Sequence, residues 1–406
     1  MLVMMTLIMS IAALSAADIS FTGLSQTKIA LALENAVIPY YEQKVDMNID
    51  IYKDMSHLFI QPYLSVDQDE KIEFNMREFY ADFYLDTIDI RVGKQIIATG
   101  QADGLYLTNM ISPLNMSDFL LSETHELQKG VPAGKISYYH DAFTFTGMWI
   151  SHFVPAKTFT SDSYWFNSPT LLSGGTVNME EPGTPEFSLE NSEVFAKASY
   201  FGALATVEVF GGNTWTDTPY ASSFDAGTST IAAEYGRYSV LGAAVSAPVS
   251  STVLRTEILA SFDKPFTSVV PGTPPAVSVQ EHAVIDGLIG VDADLAGFSI
   301  SAQYRGTYTA DFNDTLITDG RQAKEYLQLA TLNIQKSFLD DTLTAQLFAI
   351  AEFDEFNMLI RPSITWIIED AVEIEAELIL FVGDEEGTYG AYSDRSVTSL
   401  SLNYYF

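Results

Sequence analysis

The sequence predicts an antiparallel transmembrane β-barrel of about eighteen strands, with sixteen as the neighbouring count. Three observations carry this. After Asp18 apolar and polar residues alternate with period two through nearly the whole chain, the mark of strands with two unlike faces. The breaks between alternating runs are short and long by turns. The chain closes on one more alternating run, which ends at Phe406.

The N-terminal element is different. Met1–Ala17 carries no charge and has an apolar stretch from Leu2 to Leu14, followed by Ser15-Ala16-Ala17. It is short for a transmembrane helix, and small residues follow the apolar core. We read 1–17 as a signal peptide cut near Ala17, with a buried N-terminal helix as the alternative. No Lys or Arg precedes the apolar stretch. The barrel domain is 18–406.

The alternation is clearest at 371–382. Val372, Ile374, Ala376, Leu378, Leu380 and Val382 share one face, and Glu373, Glu375 and Glu377 the other. In 355–368 an apolar set from Phe356 to Ile368 opposes Asn357, Arg361, Ser363 and Thr365. In 296–310 Phe298, Ile300, Ala302, Tyr304 and Tyr308 oppose Ser299, Ser301, Gln303, Arg305 and Thr307. Three carboxylates on one face cannot enter a dry core without heavy desolvation cost. They can face a watery lumen while the apolar face meets lipid.

In chain order the expected strands are 18–34, 45–54, 56–67, 71–85, 87–97, 132–140, 142–153, 194–202 and 204–213. The rest are 228–247, 251–263, 280–293, 296–310, 323–337, 341–353, 356–368, 371–383 and 393–406. The tight connections fall at Met55, Asp86, Asp141, Gly202-Ala203, Pro248–Ser250, Leu295, Leu339-Asp340 and Asp370. The long ones are 98–131, 154–193, 214–227, 264–279, 311–322 and 384–392. Short turns at one end and long loops at the other are the habit of outer-membrane barrels. A phase slip in 71–85 predicts a bulge at Arg77-Glu78. Trp149, Trp366 and Tyr404 fall near strand ends, as an aromatic girdle requires. In the last strand Leu400, Leu402, Tyr404 and Phe406 share one face. That pattern implies an insertion signal read by the barrel-insertion machinery through Phe406.

Composition agrees with this reading and excludes others. There are 53 acidic and 20 basic side chains, a net charge of −33, no cysteine, and 47% hydrophobic residues. The sign is wrong for a nucleic-acid binder, and no thiolate metal site or disulfide framework is possible. The apolar content is too high for a disordered acidic chain.

Function then depends on which charges line the lumen. An arginine at mid-depth toward lipid costs about 2–4 kcal/mol, so strand arginines belong inside. The pore-lining candidates are Arg91, Arg237, Arg255, Glu257, Arg305, Arg361, Glu373, Glu375 and Glu377. Opposed on two walls they would set up a transverse field; paired, they would neutralise one another and stiffen the wall. Within 98–131, Ser117 can cap a short helix with Phe119, Leu120 and Leu127 on one side. The acidic outer residues Asp217, Asp225 and Asp384-Glu385-Glu386 lack the spacing of a cation cage. No metal or cofactor is expected.

Four runs resemble a family of Gram-negative outer-membrane barrels catalogued as a domain of unknown function. They are Arg77-Glu78-Phe79-Tyr80-Ala81-Asp82, Arg91-Val92-Gly93-Lys94-Gln95, Gly100-Gln101-Ala102-Asp103-Gly104 and Ser112-Pro113-Leu114-Asn115. Tyr235-Gly236-Arg237 and Arg255-Thr256-Glu257 resemble its later strand motifs. Lys94 and Thr99 replace the family's usual Arg and Trp. Members often accompany RND-type exporters, which implies lipid-like or small organic solutes. By similarity to trimeric porins, 98–131 would fold inward as a constriction carrying Asp103, Asn115, Asp118, Glu123 and Glu126. A lid over the rim is the alternative, and the same likeness suggests a homotrimer.

The reading is a porin-like channel of the outer membrane, not an enzyme, whose partners are membrane lipid and small solutes. A surface adhesin or ligand-binding barrel with a closed lumen is the rival. A rim hydrolase using His152 or His282 is the third.

Overall fold

The computed structural model describes residues 17–100, 107–117, 121, 127–159, 163–166, 178–318, 321–353, 356–385 and 387–406. The first strands are β1 (Asp18–Ala32), β2 (Tyr40–Lys53), β3 (Ser56–Asp67), β4 (Ile72–Leu85) and β5 (Ile88–Gln95). After a long loop come β6 (Val131–His140) and β7 (Phe143–Ile150), then the short β8 (Asn178–Met179). Next are β9 (Glu193–Phe201), β10 (Thr206–Trp215), β11 (Tyr220–Asp225) and β12 (Thr230–Glu234). A long hairpin follows within β13 (Arg237–Val249), β14 (Thr252–Val270), β15 (Ala276–Leu295) and β16 (Phe298–Thr309). After β17 (Leu316–Thr318) and β18 (Arg321–Gln322) come β19 (Tyr326–Phe338), β20 (Leu343–Glu352), β21 (Asn357–Glu369), β22 (Val372–Val382) and β23 (Val397–Tyr405).

Eighteen of these strands form one closed antiparallel barrel. The five short ones, β8, β11, β12, β17 and β18, lie in the long connections. Each barrel strand pairs with the next, and β23 pairs with β1, so that no edge is left open. The seam is tight: Gly23 and Phe406 exchange backbone hydrogen bonds, and the Phe406 ring fills the space a side chain at Gly23 would take.

Register fixes the faces. Glu373, Glu375 and Glu377 pair with Asn403, Ser401 and Ser399, and the last two pair onward with Lys28 and Ala30 of β1. These side chains are the sheltered, inward set. Leu400, Leu402, Tyr404 and Phe406 are exposed on the outer face, with Trp149 and Trp366 near other strand ends. The same alternation runs around the whole barrel, giving an apolar coat outside. The bulge in β4 falls at Arg77, between the register pairs Gln61–Glu78 and Pro62–Met76, and its guanidinium reaches Asp46 at 3.1 Å.

Tight turns sit at one end and long connections at the other. Asp54, Asp141, Ser250, Asp340 and Asp341 adopt positive φ in the turns, which Asp tolerates better than most residues. Three stretches differ from what the alternation suggested. β14 and β15 continue past a two-residue bulge at Phe262-Asp263 and pair to Val270–Ala276, so most of 264–279 is strand. The expected strand 228–247 divides into β12, which pairs with β11, and β13. Residues 390–395 form a 3-10 helix. No helix among the described residues is long and apolar enough to cross a membrane.

Candidate functional site

The lumen is the site, and it has two unlike halves. From the tight turns up to mid-barrel its wall carries charge, mostly in pairs, and at β15 Asp286 stands above Leu288. Arg91 holds Asp82 through two bonds, Nε–Oδ1 at 2.6 Å and Nη2–Oδ2 at 3.0 Å, and stacks on Tyr80. Arg255 meets Asp292 at 2.6 Å, Arg305 meets Asp286 at 2.7 Å, and Arg361 meets Glu377 at 2.7 Å. Lys197 meets Glu208 at 3.0 Å. Each pair joins two adjacent strands, so each field is local to the wall. His57 lies between Asp50 and Asp82, 2.8 Å and 3.2 Å away, under a stacked Tyr52 ring.

Arg237 is a correction to the expected lining. It pairs with Trp215 in register and shares its face with Leu241 and Val245, which are exposed outside, whereas Val240 and Ala244 are the buried inward residues. Its guanidinium is held at the loop-side rim by Asn213 Oδ1 and by the carbonyl oxygens of Glu190 and Ser192. At the rim a polar side chain no longer reports the lumen, because water and headgroups reach both faces. Arg91, Arg255, Glu257, Arg305, Arg361, Glu373, Glu375 and Glu377 all stand on the inward face.

Toward the loop end the inward face turns apolar and is covered. Phe195, Phe210, Val240, Leu259 and Leu288 pack with Leu107 and Ile111 of the β5–β6 connection. Ala30, Ala32, Leu359, Ile379, Phe381 and Val397 pack with Leu121 of the same connection and with Trp165 of the next. Arg395 secures that second loop by donating to the carbonyl oxygens of Tyr164 and Phe166.

The connection 96–130 therefore touches two distant walls. Thr108 donates to Glu257 of β14 from its hydroxyl at 2.7 Å and from its backbone N–H at 3.2 Å. Glu257 is 2% exposed. Thirteen residues on, the Leu121 carbonyl accepts a 2.7 Å bond from Lys28 Nζ of β1. β14 is the eleventh barrel strand, ten strands from β1 along the chain and eight through the seam. The loop is held by two bonds within it, Ile97 N–H to Ser112 Oγ and Thr99 N–H to Asn109 Oδ1, and by one to β4, Ile96 N–H to Glu78 Oε1. Gly100 takes φ +90°, and a side chain there would strike Thr108 and Glu257.

Asn115 organises a turn. Its Oδ1 accepts from Ser117, and its N–H donates to Leu127 O. Asp103, Asp118, Glu123, Glu126 and the helix expected after Ser117 lie outside the described residues, as does most of 1–17. Thr108 and Lys28 were not legible as site residues. A lone threonine in a loop carries no signal, and Lys28 is one lysine in a polar strand face.

At the rim, burial and the neighbouring Glu193 push the Asp217 carboxyl up to about 7, against opposing pulls from Lys264 and Lys129. His152 touches Ser151 and Phe187, and His282 bonds the Ala310 carbonyl. Among the described residues no three His, Asp or Glu side chains are grouped to hold a metal.

Neither a family model nor a curated protein matches the chain. Solved structures do match in fold. OccK2 (OpdF) of Pseudomonas aeruginosa gives a TM-score of 0.57 at 9% identity, over 97% of this chain and 98% of that one. OccD3 (OpdP) of the same organism gives 0.57 at 7%, over 96% and 91%. OccAB1 of Acinetobacter baumannii gives 0.56 at 8%, over 97% of each. The chain thus shares the barrel fold of these three proteins.

Proposed function

We propose that this protein is an outer-membrane channel through which small solutes pass, passively or by facilitation, past a constriction made by 96–130. The observation that carries the reading is the loop's attachment to both walls, at Glu257 of β14 and at Lys28 of β1. A lid resting on the rim would need neither bond, since both acceptor and donor lie on the inward face. The paired charges of the turn-side half make a hydrated wall suited to polar solutes. The exporter-linked resemblance adds an expectation of lipid-like or small organic solutes, and it rests on sequence motifs alone.

The test is single-channel recording in planar bilayers. The wild type is expected to conduct in small, steady steps. Replacing 101–127 by a short Gly-Ser linker is expected to raise the step several-fold. An adhesin with a closed lumen predicts no conductance in either protein.

A further inference from the structure

We infer that the turn-side mouth of the lumen is a cation-selecting ring formed by Asp89, Asp294 and Glu373; the inference rests on the channel reading above. All three stand at one depth. Asp89 is the second residue of β5, Asp294 the second from the end of β15, and Glu373 the second of β22. Each is thus one step inside a tight turn, and each is on the inward face: Asp89 pairs with Tyr84, Asp294 with Ser299, and Glu373 with Asn403.

They also divide the circle. β5, β15 and β22 are the fifth, twelfth and seventeenth barrel strands, so seven, five and six strand steps separate them. A solute crossing this level meets a carboxylate on every side.

Their charge is not cancelled. Deeper in the lumen the guanidiniums of Arg91, Arg255, Arg305 and Arg361 each have a carboxylate partner. The ring carboxylates instead accept from neutral groups: Asp89 from Tyr139 Oη at 2.7 Å, Asp294 from Ser299 Oγ at 2.6 Å, and Glu373 from Asn403 Nδ2 at 3.0 Å. Among the described residues no Lys or Arg stands on the inward face at this step; Lys53 and Lys336 fall on the outward face. The other inward side chains at this step include Tyr52, Tyr84, Thr144, Ser337 and Thr344, and His57 is taken up by Asp50 and Asp82. The nearest inward base outside those ion pairs is Lys135, which pairs in register with Arg91 one level deeper and feels the charges of Asp82 and Asp89. Beside Asp294 the wall opens into a recess of about 350 Å³ lined by Ser299, Ser301, Asn333 and Gln335, with the Arg255–Asp292 pair on its deeper side. Rings of carboxylates raise the local concentration of cations and turn anions away.

Reversal potentials across a tenfold KCl gradient test this on the full-length protein in planar bilayers. The wild type is expected to favour K⁺. The triple variant Asp89→Asn, Asp294→Asn, Glu373→Gln is expected to insert and conduct, and to keep the heat-modifiable gel migration of the wild type, which shows an intact barrel. Its preference for K⁺ over Cl⁻ should fall several-fold near 0.1 M salt, where the screening length is about 10 Å. Asp294→Lys alone should move the potential the same way. A conducting wild type that favours Cl⁻, or variants whose potentials match the wild type, would overturn the inference while leaving the channel intact. A wild type that never conducts overturns the channel reading itself.

Discussion

The two halves of the lumen obey the same alternation and end up in opposite states. On the turn side, inward residues are ionic and bonded to the next strand, as Arg91 is to Asp82 and Arg255 to Asp292. On the loop side, inward residues are Phe195, Phe210, Leu359 and Phe381, and loop side chains cover them. A barrel's inner face therefore needs polarity only where water reaches it. Where a loop folds in, the inner face becomes a core and follows core rules.

That contrast can be broken from either side. The largest effect should come from Trp165→Ala, which empties a 2%-exposed site on the loop-side wall. Loss of such a ring costs about 3–5 kcal/mol. Limited proteolysis should then cut within 154–193 much faster, with the tight turns still protected. Arg361→Ala tests the charged wall at mid-barrel. It strands the Glu377 carboxylate at a cost of about 2 kcal/mol, below that of a fully buried pair because Arg361 keeps some lumen exposure. Denaturant unfolding should register the loss, and the reversal potential should move toward K⁺.

Thr108→Val tests the tether between the halves. It removes the hydroxyl that serves the buried Glu257, at about 1–3 kcal/mol. The barrel should stay folded while current noise rises, because one end of the loop is freed. The smallest effect concerns pH. Asp217 is pushed up to about 7 by burial beside Glu193, so the folded rim favours its protonated form. That contribution is complete below about pH 4 and is lost as pH climbs to about 7. Hydrogen exchange at the Ala156 N–H, which donates to the Asp217 carbonyl, should show protection falling over that range, and Asp217→Asn should flatten the trend.

The strands were legible because lipid demands an unbroken apolar outer face. Val372 through Val382 and Leu400 through Phe406 announce it, and even the Arg77 bulge appears as a slip of phase. The inward fold was less legible. Phe195, Leu259, Leu359 and Phe381 are apolar on the lumen side, and no local pattern says that a loop covers them. Arg237 misleads for the converse reason, since at the rim a guanidinium can face outward and bond loop carbonyls. The extension of β14 and β15 to Val270 and Ala276 was hidden by the bulge at Phe262-Asp263, which inverts the alternation in the rest of β14.

The central claim is that 96–130 crosses a conducting lumen. Single-channel conductance of the wild type beside the 101–127 replacement tests it most directly. The account predicts small steps in the first and steps several-fold larger in the second. Equal steps in both, or none in either, would contradict it.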